Sequence, residues 1–174
     1  MIHCCFFMEE TFTFSVIGHH FLWGQNYTLS IQYLLVLFLN LAVTVFGKKW
    51  IGKPRPGKED FGKVTTSKTT FFRDKQHYNY SMPSGDAMQA FAMITYYYYF
   101  GTSCLFWAYL PIGVLISVSR IYLLCHYISD VIVGALIGIF GTAVLINVVF
   151  IGFGLNQYMD YMASRYLQNY VIKF

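Results

Sequence analysis

From Leu29 to Phe46 the chain runs eighteen residues, LSIQYLLVLFLNLAVTVF, without a charge. In water such a segment would need a large core to cover it; in a bilayer it is about as long as a helix must be to cross the hydrocarbon. Composition places the rest of the chain in the same solvent. Of 174 residues, 56% are hydrophobic, 20% aromatic and only 11% charged, whereas a soluble domain carries about a quarter charged residues. One small core cannot bury that much apolar surface. The expected fold is therefore all-α, a multi-pass transmembrane helical bundle.

Three more helices follow from the same pattern: Ser84 to Phe100, Thr102 to Val118 with a predicted kink at Pro111, and Tyr127 to Gly152. That makes about four spans, in a membrane core over residues 29–152. Two peripheral segments flank it. Residues 1–28 are aromatic and interrupted by Glu9 and Glu10, which suits an interfacial or re-entrant segment. Residues 153–174 alternate aromatic and polar side chains, as an amphipathic tail lying on lipid or on a membrane-protein partner would. Within the core, residues 47–83 are rich in Gly, Pro, Lys, Thr and Ser and predict a long aqueous loop.

Charge is concentrated in that loop. Nine of the twelve Lys and Arg residues lie between Lys48 and Lys75. No aromatic and basic interleaving accompanies them, so nucleic acid is not the expected partner; anionic lipid or phosphate is. Cys4, Cys5, Cys104 and Cys125 show neither disulfide nor zinc spacing and read as structural thiols. His3, His19 and His20 lack spaced partners, so no metal site is expected there. Tyr96 to Tyr99 reads as an interfacial aromatic belt. The N-terminus shows neither a basic signal-peptide start nor an Arg-rich transit pattern. An endomembrane and the mitochondrial inner membrane both stay open.

Alternating crossings place the polar helix ends together. If the first helix exits toward the basic loop, Asp86, Arg120, His126 and Asp130 all fall on that same face. Ionisable residues converging at one depth of a membrane protein mark a functional site. Lys48, Arg55 and Arg120 offer fixed cations, and an arginine can fork onto phosphate oxygens. Pro83-Ser84-Gly85 reads as a helix start whose free N–H groups and Ser84 hydroxyl favour an anion. The i, i+4 spacing of His126 and Asp130 puts both on one helical face, where a carboxylate can hold an imidazole. Phosphoryl transfer needs chiefly positioning and charge neutralisation, and this set supplies both.

In order, the three stretches are Lys48-x6-Arg55-Pro56, Pro83-Ser84-Gly85-Asp86, and Ser119-Arg120-x5-His126-x3-Asp130. They resemble the signature of the type-2 phosphatidic acid phosphatase and vanadium haloperoxidase superfamily, K-x6-RP, PSGH and SR-x5-H-x3-D. The resemblance implies that His126 is a nucleophile that becomes phosphohistidine, and that Asp130 orients it. It assigns Lys48, Arg55, Ser84, Gly85 and Arg120 to the phosphate, and it implies no metal and no cofactor. The implied activity is hydrolysis of a lipid phosphate or diphosphate, with phosphatidate, lysophosphatidate, sphingoid-base phosphate and polyprenyl diphosphate as candidate substrates.

The chain departs from this pattern in two ways. The histidine that protonates the leaving group in the family is Asp86 here, with His77 the nearest other donor in sequence. Many members also have six spans, and two leading helices look missing or reduced. Two other readings stay open: a non-catalytic subunit of a larger membrane complex, and a lipid phosphotransferase. Setting Lys48, Arg55 and Arg120 aside, the loop side holds seven Lys and Arg and the opposite side two, Arg165 and Lys173. The positive-inside tendency then turns the site toward the cytosol, or toward the matrix in a mitochondrion.

Overall fold

The computed structural model describes residues 27–56, 80–100, 103–155 and, in the tail, positions 157, 158, 160–162 and 164. The N-terminal segment through residue 26, loop residues 57–79 with His77, and residues 165–174 lie outside that description. So do the expectations placed on them. Among the described residues the regular elements are all helical: α1 (Tyr27–Ile51), α2 (Gly85–Phe100), α3 (Ser103–Tyr122) and α4 (Ile128–Val144), which continues as a π-helical segment, Leu145–Gly152.

Two helices are long and apolar enough to cross a membrane, Thr28–Ile51 and Ile128–Gly152. Of the four expected spans, these two have the length and composition to cross. The described apolar part of α3, Phe106–Tyr122, is shorter. The 16 residues of α2 rise about 24 Å, less than the roughly 30 Å of hydrocarbon. Helix α2 is instead the centre of the bundle. It packs against α1, α3 and, most extensively, α4, and it buries Ala87, Met88, Ala90, Ala92, Met93 and Ile94. The outer helices turn Phe38, Leu41, Phe46, Leu115 and Phe140 outward, side chains that are stable there only against lipid or another apolar surface.

The close approach of α2 and α4 comes from two glycines one helical turn apart. A Cβ at Gly134 would collide with the Ser84 carbonyl, and one at Gly138 with the Met88 carbonyl. Without those side chains the two backbones touch, as small-residue pairs allow in membrane helices. Away from this contact, Tyr33 and Val36 of α1, Met93, Tyr96 and Tyr97 of α2, and Ile146 and Phe150 of the π-helical segment form one core. The tyrosine run thus divides. Tyr96 and Tyr97 are buried, with the Tyr96 hydroxyl donating to the Leu29 carbonyl at 2.6 Å. Tyr98 and Tyr99 face outward, so only this half of the run has the placement of a belt.

The fourth predicted helix is also divided, at Leu145. There Asn147 donates to the Ala143 carbonyl at 2.8 Å and to the Tyr99 hydroxyl at 2.9 Å. A side chain that competes for a helical carbonyl is a local cause of altered helix geometry.

Gly134→Ala should destabilise the fold by about 1–3 kcal/mol, because the methyl meets fixed backbone. Gly141, on the same helix, has open space where a methyl would sit, with no atom within 4 Å of that point. Gly141→Ala should therefore be neutral or stabilising by about 0.5–1 kcal/mol. Thermal unfolding of both variants in detergent checks the contrast; equal midpoints would sink it.

Candidate active site

Four helix ends build the site. Helix α1 carries Lys48 and Lys49 in its last turn, where cations suit the negative end of the helix dipole. Beyond it the chain turns at Gly52, whose φ is +63°, and enters Lys53-Pro54-Arg55. The far end of the long loop returns to this strip. Pro54 and Tyr80 form an isolated bridge, and the Ser81 N–H donates to the Lys53 carbonyl at 2.8 Å. The buried Ser81 hydroxyl donates to the Pro54 carbonyl at 2.9 Å. These bonds bring the first and second sequence motifs side by side.

Helix α2 starts at Gly85, with Ser84 just before it. The Ser84 N–H donates to the Asp130 carbonyl at 3.0 Å, joining the second motif to the third. The Ser84 hydroxyl is fully buried and has no hydrogen-bond partner among the described residues. A buried hydroxyl in that state is suited to a ligand oxygen. Gly85 backs onto α1, where a Cβ would press on the Thr44 methyl at 3.0 Å. Asp86, in the first turn of α2, lies across from the end of α3. Its Oδ2 meets Arg120 Nε at 2.7 Å.

Between α3 and α4 runs the turn that carries His126. Leu124 takes a positive φ of 55°, a conformation that ends helices and is costly for a leucine. The N–H groups of Cys125 and His126 both reach back to the Arg120 carbonyl, at 3.1 and 3.3 Å. His126 therefore precedes α4 rather than riding on it, and the shared helical face expected from i, i+4 spacing is not how it meets Asp130. Asp130 sits in the first turn of α4. Its Oδ2 accepts the Tyr127 N–H at 2.9 Å, while its own N–H donates to the Tyr127 carbonyl at 3.0 Å. This reciprocal pair starts the helix and turns the carboxylate back toward the turn. Oδ2 lies 3.9 Å from His126 Nδ1, an ion-pair approach too long for a hydrogen bond.

The site residues thus come together from three separated stretches. Arg55 Nη1 donates to the Cys125 carbonyl at 2.8 Å, beside His126. Arg120, His126 and Asp130 are 3%, 2% and 0% exposed. Burial lowers the pKa of His126 below its ordinary 6.5; Arg55 and Lys48 act the same way, while Asp130 and Asp86 oppose them. The imidazole is thereby kept neutral and able to act as a nucleophile.

Nothing in the sequence singles out Lys53, one of several basic residues around the first motif. In the structure its Nζ lies 2.6 Å from Asp130 Oδ1 and 2.8 Å from Ser129 Oγ. The only sequence signal for it is position: it lies inside the spacing between Lys48 and Arg55. Cys125 is a buried thiol outside any disulfide, and its Sγ donates to the Leu123 carbonyl at 3.6 Å.

Comparison with known proteins agrees with this geometry. The sequence profile of the PAP2 superfamily matches residues 29–152, from α1 through the π-helical segment. No curated protein and no solved structure matches the chain. The matched region contains every residue of the buried cluster, so the chain belongs to the PAP2 superfamily, and its cations around a buried histidine suit phosphatase-type activity on phosphate substrates.

Proposed function

We propose that this protein is a membrane-embedded, multi-pass lipid phosphate phosphohydrolase that works through a phosphohistidine at His126 without a metal. The observation that carries the reading is the meeting of three separated motifs around one buried imidazole. Nε2 of His126 attacks phosphorus, and the bond from phosphorus to the lipid oxygen breaks. Arg55, Arg120 and Lys48 neutralise charge on the non-bridging oxygens, joined by the Ser84 hydroxyl and the start of α2 at Gly85. Asp130 orients the ring. Asp86 gives its proton to the leaving oxygen. Water then attacks the phosphohistidine, its proton returns to Asp86, and inorganic phosphate leaves.

Asp86 must exchange partners for this to work. In the unliganded chain the Arg120 guanidinium favours the ionised carboxylate. A phosphate dianion that takes over Arg120 removes that cation and adds a repelling charge, which favours protonated Asp86. The same ion pair supports the second reading, a non-catalytic subunit of a membrane complex in which Asp86 permanently closes the anion site. Turnover separates the two. The basic loop points the site toward the cytosol or matrix; cysteines introduced at Gly57 or Thr66 should then be shielded in sealed, right-side-out vesicles, and ready labelling there would reverse the assignment.

His126→Ala should abolish turnover of a lipid phosphate panel measured with a chelator present, while circular dichroism stays unchanged. Arg120→Lys should lose at least about tenfold in kcat/KM, since a point charge cannot replace a fork. Wild-type rates in His126→Ala would remove the phosphohistidine. Because the His126 pKa is lowered, the imidazole loses its proton below pH 6.5. The acid limb of kcat/KM should accordingly lie below 6.5, with activity falling only as pH drops through that lowered value.

Asp86→Asn should slow phosphomonoesters with poor leaving groups far more than activated aryl phosphates, which need little protonation. Asp86→His should extend activity toward neutral pH, as unperturbed imidazole titrates near about 6.5. A wild type silent with both substrates at every pH, and restored by Asp86→His, would establish the subunit reading.

A further inference from the structure

Asp130 has two oxygens and two different duties. Oδ2 caps the start of α4 and approaches His126, whereas Oδ1 is engaged by Lys53 at 2.6 Å. Lys53 is itself closely fixed. Its ammonium also meets Ser129 Oγ at 2.8 Å and lies 4.4 Å from the centre of the Tyr127 ring. Its backbone carbonyl accepts the Ser81 N–H at 2.8 Å, so the lysine is anchored where the loop begins and ends. The side chain is 29% exposed against 0% for Asp130. This makes Lys53 the edge of the buried cluster rather than its centre.

We propose that Lys53 is a positioning residue for the phosphohydrolase site, which clamps Oδ1 of Asp130 so that Oδ2 is presented to His126 while the lysine balances the carboxylate charge. A buried carboxylate left without a cation would turn to whatever positive charge is nearest. Here that would be a protonated His126, and a protonated imidazole cannot attack phosphorus. Lys53 removes that trap. The other charged groups facing His126 are Lys48 and Arg55 from the segment ending and following α1, and Asp86 from α2. Arg120 holds the His126 backbone through its carbonyl. Asp130 faces, besides His126 and Lys53, the hydroxyls of Ser81 and Ser129 and the Tyr127 N–H, and it also feels the charge of Arg55. Lys53 is the ammonium in contact with its carboxylate.

The kinetic consequence rests on the phosphohydrolase reading, but the charge balance does not, and the test uses both. Lys53→Met keeps an apolar stem against Tyr127 and removes the charge. In the full chain in detergent, with 15N-labelled histidine and the His126 resonance identified by its loss in His126→Gln, the His126 midpoint should rise by about one pH unit. Lys53→Arg should hold it near the wild-type value. In turnover, Lys53→Met should lose more kcat/KM at pH 6 than at pH 8, with its acid limb moved upward. A purely structural lysine would lower activity equally at both. Lys53→Gln is measured alongside, and a His126 midpoint that stays put or falls in whichever neutral variant folds overturns the proposal. So does an arginine variant as shifted as the methionine one. If wild type neither turns over nor traps phosphohistidine, the phosphohydrolase reading fails while the titration still decides whether Lys53 balances Asp130.

Discussion

A carboxylate with no exposed surface must be partnered or it will not stay ionised, and the partners of Asp130 organise this molecule. Through Oδ1 it binds Lys53, in the strip that follows α1. Through Oδ2 it starts α4 and approaches His126. Through its carbonyl it receives the Ser84 N–H at the start of α2. One residue therefore joins all three motif-bearing stretches. Those bonds require α2 and α4 to run in backbone contact, which the bare faces of Gly134 and Gly138 permit.

The surroundings give these contacts their consequence. Helices that turn large apolar side chains outward leave the polar groups only the helix ends in which to gather. There each backbone terminus offers unsatisfied donors or acceptors. Lys48 and Arg120 sit at C-terminal ends, Asp86 and Asp130 in first turns, so every charge also suits its local helix dipole. A phosphate entering this cluster would meet fixed cations, a buried hydroxyl and a buried imidazole. The contact between Asp86 and Arg120 adds a competing anion, so phosphate must displace a carboxylate to reach the guanidinium.

Much of this was legible in the residues. The uncharged run from Leu29 to Phe46 announced α1, and the three motifs pointed to the stretches that come together at the helix ends. The helix start at Ser84-Gly85 followed from its turn residues, and the helix from Tyr127 from its apolar run. The glycines at 134 and 138 carried a packing signal that the motif pattern overshadowed. Lys53 looked like one more cation in a basic strip, because sequence does not say which lysine reaches a carboxylate seventy-seven positions away.

Hydrophobicity and motif spacing are properties of the chain itself, and they alone determined a helical, apolar protein with a phosphate-type residue set. The tertiary structure decided the rest, because contacts between distant segments depend on how helices approach. It divided the tyrosine run into buried and outward halves, since only Tyr96 and Tyr97 turn toward α1 and its neighbours. It placed His126 in a turn ahead of α4, because Leu124 ends α3 and Asp130 caps the next helix from its third position. It also gave Asp130 a lysine and Asp86 an arginine, pairings set by geometry at the ends of helices rather than by any local pattern.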